Sequence, residues 1–247
     1  MLYLSHKKNN CGIWKGLNKM KTKKENIIIL ICFLVIILSI VLFFFISSSN
    51  RIKNSFKFNE HLEDNVVTIE NTNNTSSCSI RLKEFSYYIL VMEASVNQTA
   101  GLYNPNNLHS YWNLYISNTF VKSEAKNTTM DMCVRDNIYY IEAVEDGFSL
   151  TSDEEITVTE EASYIYKNLT GKQVDATELT IEDIYNIRYK INLATKYISY
   201  LIEEYGYTED ELNVSGSYYT DIYESYTITT DKIWDYIELG DITISID

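Results

Sequence analysis

The sequence predicts a mainly α protein: a single N-terminal transmembrane helix, then a helical domain closed by a small β-sheet drawn from its two ends. Three observations carry this. Residues 27–46 form 20 consecutive uncharged positions, enough at about 1.5 Å per residue to cross a hydrocarbon core of about 30 Å. Apolar side chains then recur at steps of three and four through much of residues 82–205, the spacing of helices with one buried face. On either side of those helices, Val66–Glu70 and the C-terminal stretch from Tyr218 onward are rich in Val, Ile, Thr and Tyr, which suit strands.

Charge orients the N-terminal elements. Residues 1–26 hold seven Lys and one Glu, a balance of +6, so the positive-inside rule makes them a cytoplasmic basic segment. Ile27–Ile46 is the membrane span, and the rest is extracytoplasmic. A cleaved signal peptide is the rival reading, but Phe43–Ile46 runs into Ser47–Ser49 without a small-x-small cleavage site, and an uncleaved anchor is preferred. Met20, followed by Lys21-Thr22-Lys23-Lys24, is an alternative start that leaves the anchor intact. Residues 47–64, Ser/Asn-rich and without period, read as a stalk, which leaves 65–247 as the exported domain.

Composition then excludes whole classes. The chain of 247 residues has 34 acids against 21 bases, and after residue 46 the balance is 33 to 14. Such an acidic body repels phosphate backbones and carries no basic stripe, so nucleic acid is excluded as a partner. One Pro, eight Gly and 45% hydrophobic residues exclude a disordered or collagenous chain.

Within the exported domain, Val66–Glu70 reads as a short strand and Asn71–Ser77 as the turn after it. Leu82, Phe85, Ile89, Met92 and Val96 mark one face of a helix over 82–97. Gly101–Asn118, with Pro105 and several Asn, reads as a loop containing one helical turn. Val121–Asp146 is a helix stopped by Gly147. Thr151 with Glu154 is a capping box that opens a helix to about Asn168, and Thr180 with Asp183 opens another over Ile181–Tyr205. The seam Ile184, Ile187, Ile191, Ala194, Ile198, Leu201 and Tyr205 fits antiparallel packing within one domain, or a coiled-coil dimer. Tyr218–Thr229 and Asp241–Asp247 read as strands that pair with the one at Val67.

No catalytic constellation can be assembled, so the expectation is a non-enzyme with no cofactor and no metal. His61 and His109 are the exported histidines, and Gly-rich phosphate loops, Gly-x-Ser-x-Gly and Cys-x-x-Cys are absent. Acid pairs such as Glu160-Glu161 and Glu203-Glu204 are solvated faces, since neighbouring helical side chains do not face each other. Of the exported cysteines, Cys78 and Cys133, the latter sits in a helical pattern and reads as a buried free thiol.

Tyrosine is the unusual feature, with 21 in the chain. These rings are either half-buried core or a source of stiff, adaptable contact area with a polar tip. Tyr111, Trp112 and Tyr115 of the loop, with Tyr139 and Tyr140 of the following helix, are the candidate client-binding residues. They outline a cleft ringed by acids, unless they are the seam where the loop packs on the helix.

The strand Val67-Thr68-Ile69, its turn and Leu82-Lys83-Glu84-Phe85-Ser86-Tyr87-Tyr88 resemble the start of the chaperone domain of the SurA and PrsA foldases. Tyr111-Trp112, Val121–Ala125, Asp136–Ala143 and Gly147–Glu155 are similar to that family's later helix, its end and its restart, so the resemblance covers about residues 66–206. It implies an extracytoplasmic holdase that cradles unfolded or exported polypeptides. The sequence departs from the family in lacking a lipobox and in having Arg81 where a Ser or Thr cap is usual. The stretch after Gly206 is too short for a parvulin prolyl-isomerase domain. The expected function is therefore a membrane-anchored, chaperone-like protein without catalysis. The alternative is a bitopic envelope protein whose ectodomain serves one secretion or division assembly.

Overall fold

The computed structural model describes Val35, Ile37–Ser39, residues 56–73 and 76–240, and Ile242. The chain separates into two compact units, 1–56 and 57–247, and the architecture below is that of the second. The basic segment and the expected span at Ile27–Ile46 lie outside the described residues, apart from Val35, Ile37, Leu38 and Ser39, which are helical. Among the described residues no helix is long and apolar enough to cross a membrane.

The body is mainly helical with a small sheet, and the sheet joins its two ends. Strand β1 (Asn65–Asn71) is central, with β2 (Ser77–Arg81) on one side and β5 (Tyr226–Thr230) on the other, both antiparallel. Val66, Val67 and Ile69 of β1 are all fully buried, and the two adjacent valines share that fate because the register with β2 shifts between Asn65 and Val67. Residues 57–64, placed in the stalk by composition, are packed here: a 3-10 turn spans Phe58–Glu60, Leu62 is buried, and its carbonyl accepts the N–H of Lys83 at 2.9 Å.

The expected C-terminal strands differ in position. Among the described C-terminal residues, Tyr226–Thr230 joins β1, whereas Ser217–Tyr223 is helix α8. Strand preference of Tyr and Thr is contextual. Here helical spacing lays Tyr219 on Tyr139 at 5.9 Å and on Tyr223 at 5.8 Å, burying Tyr219. In the last segment, Ile242 is buried off the sheet, and the remainder of Asp241–Asp247 lies outside the described residues.

Among the described residues of the body, seven further helices precede α8: α1 (Leu82–Tyr103), α2 (His109–Trp112), α3 (Val121–Glu145), α4 (Ser152–Asn168), α5 (Gly171–Thr177), α6 (Ile181–Tyr205) and α7 (Glu209–Leu212). Four of them, α4 to α7, open on capping boxes, at Thr151/Glu154, Thr170/Gln173, Thr180/Asp183 and Thr208/Glu211, each satisfying two backbone donors. Gly206 ends α6 at φ 73, where only a residue without Cβ is unstrained. The α6 seam is used inside the body, against α3 and α4: Ile184, Ile187, Ala194, Tyr197 and Leu201 are buried.

Ion pairs fix the helices around that seam. Arg188 gives two nitrogens, at 3.0 and 2.8 Å, to Glu161 Oε2, and Lys190 reaches Glu84 at 2.6 Å. Lys83 meets Asp183 at 2.9 Å and Lys196 meets Glu154 at 2.7 Å. Buried polar side chains are satisfied locally: Thr129 and Thr177 donate to carbonyls one turn back, and Asn137 donates to Cys133 O at 2.9 Å. Cys78 and Cys133 are both free thiols, and burial pushes that of Cys133 far up in pKa.

Candidate functional site

The segment between α1 and α3, expected to be a loop, is more ordered than that. Asn104 accepts the N–H of Asn106 through its side chain at 3.2 Å, and Asn107 accepts that of Ser110 at 3.1 Å, which starts α2. Then β3 (Tyr115–Ile116) and β4 (Thr119–Phe120) form a hairpin, with Tyr115 opposite Phe120. Its two-residue turn, Ser117-Asn118, has φ of 50 and 68, the left-handed pair of a type I′ turn. The chain passes from Phe120 directly into α3, so the hairpin is held at that helix's first turn.

The predicted site residues separate into two groups. Tyr111, Trp112 and Tyr115 stand at the N-terminal end of α3, while Tyr139 and Tyr140 lie toward its other end. From Val121 to Tyr139, at about 1.5 Å per residue, is about 27 Å along the helix, too far for one cleft to hold both groups. Trp112 is core, 2% exposed, with its Nε1 donating to Asn97 Oδ1 at 2.8 Å. Gly240 covers its ring at φ 99, and a Cβ there would come within 3.1 Å of the indole. Tyr139 is core too: its hydroxyl donates to Leu212 O at 2.8 Å, the Arg135 guanidinium lies 5.4 Å from its ring, and burial raises its pKa. Tyr140 is half-buried, with the Lys190 ammonium 6.0 Å from its ring centre.

Tyr111 and Tyr115 remain at a surface. Tyr111 is half-buried against Tyr103 at 5.7 Å, and it lines a groove of about 450 Å³ between α1, the hairpin and the start of α3. Met92 and Val96 of α1, Ile116 of the hairpin and Val121 and Ala125 of α3 supply its apolar wall, and Ser95, Thr99 and Thr128 supply a polar fringe. On the other face of the hairpin, Tyr115 is 62% exposed and Phe120 47%, their rings edge to face at 5.1 Å, while Ile116, Leu102 and Tyr103 are also exposed. Sequence reasoning found Tyr111 and Tyr115 but missed Ile116 and Phe120. The signal was present in the pairing of two short β-prone dipeptides around Ser117-Asn118.

A second groove, of about 440 Å³, runs between β2 and α6. Its charges neutralise one another: Arg81 with Glu63 at 2.6 Å, Lys83 with Asp183, and Lys190 with Glu84. Burial works against the Lys190 charge, yet the adjacent Glu84 holds its pKa above the ordinary lysine value. This groove is therefore knit together by its own pairs. Among the described residues no group of three or more His, Cys, Asp or Glu is placed to hold a metal ion.

The apolar groove and its aromatic hairpin can bind a chain by contact area and backbone-directed hydrogen bonds from Ser and Thr, with Met92 able to repack around different side chains. In comparisons with family models, curated proteins and solved structures, the chain matches none of them.

Proposed function

We propose that this protein binds unfolded or exported polypeptide segments in the groove between α1, α3 and the Tyr115–Phe120 hairpin, without catalysis. It would do so outside the cytoplasm, tethered by Ile27–Ile46. The observation that carries the reading is an apolar groove rimmed by the exposed Ile116 of a hairpin whose opposite face exposes Tyr115 and Phe120. Soluble proteins ordinarily cover such surface unless a partner uses it. The resemblance of residues 66–206 to the foldase chaperone domain and the uncharged run of the N-terminal region support the same reading. The groove residues replace the wider five-residue cleft, because Trp112 and Tyr139 are inaccessible.

The test uses the full chain in detergent micelles and two unrelated, chemically denatured proteins whose aggregation is followed by light scattering. Wild type should protect both near stoichiometric ratio. Ile116→Asp with Phe120→Ser should lose most of the protection while melting within about 2 °C of wild type, as surface changes usually cost little. Protection unaffected by these substitutions would refute the groove. Protection of neither denatured protein would instead favour a single dedicated partner in an envelope assembly.

A further inference from the structure

We propose that a belt of six aromatic rings at the C-terminal end of α6, separate from the hairpin groove, docks the lysine or arginine side chains of a basic polypeptide. Phe148 follows α3, Tyr197, Tyr200 and Tyr205 belong to α6, Tyr207 lies in the link to α7, and Tyr218 is in α8. Phe148 contacts Tyr197 at 5.3 Å and Tyr200 at 4.9 Å, measured between ring centres. From Tyr200 the series continues to Tyr205 at 5.7 Å, Tyr207 at 6.4 Å and Tyr218 at 4.5 Å. Tyr218 and Tyr197 also act on each other's hydroxyls electrostatically, so the two ends of the series are coupled. Tyr205 is 64% exposed, and Tyr200, Tyr207 and Tyr218 are half-buried, so part of each of these side chains is accessible to a ligand.

Ring faces carry the negative part of the aromatic quadrupole and attract cations. Carboxylates strengthen that field here. The Tyr197 hydroxyl donates to Asp146 Oδ2 at 2.6 Å, Glu142 acts on Tyr197 and Tyr218, and Glu204 acts on Tyr200. Elsewhere in the body ring faces are already supplied from within: Lys126 sits 4.4 Å from the Trp234 ring centre, Arg135 5.4 Å from Tyr139 and Lys190 6.0 Å from Tyr140. Among the described residues no Lys or Arg lies over any ring of the belt. Lys196, the adjacent residue to Tyr197, turns its ammonium to Ser149 O at 3.0 Å and to Glu154 at 2.7 Å. The occupant follows from charge. A chain of net charge −13 draws basic segments and repels acidic ones, and an apolar ligand would gain nothing from the carboxylates.

The experiment measures binding of a dye-labelled Gly/Ser octapeptide bearing three Arg to full-length protein in micelles, by fluorescence anisotropy. The counterpart with three Glu is run beside it. Wild type should bind the Arg peptide and not the Glu peptide. Tyr205→Phe should stay within about twofold, because the ring persists, whereas Tyr200→Leu with Tyr205→Leu should weaken binding about tenfold. Should that double variant unfold, Tyr205→Leu alone, at an exposed position, should still weaken binding about threefold. Asp175→Asn with Glu182→Gln removes two acids remote from the belt, Glu182 standing at the opposite end of α6 from Tyr205, and should change binding less than twofold. Failure to bind the Arg peptide, equal binding of the Glu peptide, or equal weakening by the remote pair would each overturn the proposal.

Discussion

Replacing Glu93 by Ala should loosen the C-terminal segment and destabilise the whole body. Glu93 lies on α1 at 0% exposure, and its Oε1 accepts the N–H of Gly240 at 2.6 Å and that of Ile242 at 3.4 Å. The first is a short, buried bond, and the second is at the limit of useful geometry. Deleting the acceptor leaves the Gly240 N–H buried without its partner, which costs about 1–3 kcal/mol, and the vacated side-chain volume adds about 1 kcal/mol. For a body of nearly 200 residues, about 3 kcal/mol corresponds to a fall in melting temperature of roughly 6–12 °C. Glu93→Gln keeps an oxygen at the same position and should lose about 1 kcal/mol or less. Thermal unfolding of the full chain followed by circular dichroism measures both. The decisive comparison is a cycle with a chain truncated after Leu239: there the Gly240 N–H is absent, so Glu93→Ala should cost about 2 kcal/mol less than in the full chain. Equal costs in the two backgrounds would refute the role given to the Glu93–Gly240 hydrogen bond.

Two further predictions rest on buried groups. Asp136 is pushed up to about 6 by burial, against the opposing pull of Arg135 and Arg188. The folded state therefore holds that proton more tightly than the unfolded chain, so Asp136 favours folding most below about pH 4 and loses about 3 kcal/mol of that contribution by pH 6 to 7. Urea titrations at pH 5 and pH 7 should show Asp136→Asn gaining on wild type as pH rises; a difference that does not change with pH would exclude this role. Trp112→Ala should destabilise by about 3–5 kcal/mol while Tyr115→Ala costs under about 0.5 kcal/mol, since the one is packed and the other solvated. Comparable melting temperatures for these two variants would contradict the assignment of Trp112 to the core.

How far the sequence reveals this arrangement depends on how local each determinant is. Thr151/Glu154 and Thr180/Asp183 are legible because a capping box precedes a long periodic run. Thr170/Gln173 and Thr208/Glu211 have the same chemistry, but they open helices of seven and four residues, too short to show a period. The strand at Val67 is readable from its own residues, and its pairing with a C-terminal strand follows from the need to cover both edges. Helical Tyr218–Tyr223 is not readable, because the ring that Tyr219 packs on belongs to α3. The fates of Trp112 and Tyr139 are equally remote in origin. Asn97 and Gly240 enclose the first, and a carbonyl 73 residues away receives the hydroxyl of the second. An aromatic side chain advertises large area, but only its distant partners decide whether that area is interior or available.

The place of β1 between β2 and β5 also dictates when the molecule can finish folding. The β1–β2 ladder links residues at most 16 positions apart, whereas Val67 pairs with Thr230 across 163 positions. Closing so long an intervening loop is entropically slow, and a chain made from its N-terminus presents Val66, Val67 and Ile69 on a strand with one open edge until β5 has been synthesised. For that interval the nascent chain is itself a candidate for the kind of assistance that its groove would give to others. Ribosome-stalled chains ending before Tyr226 should therefore remain protease-sensitive at β1, and those extended past Thr230 should become protected.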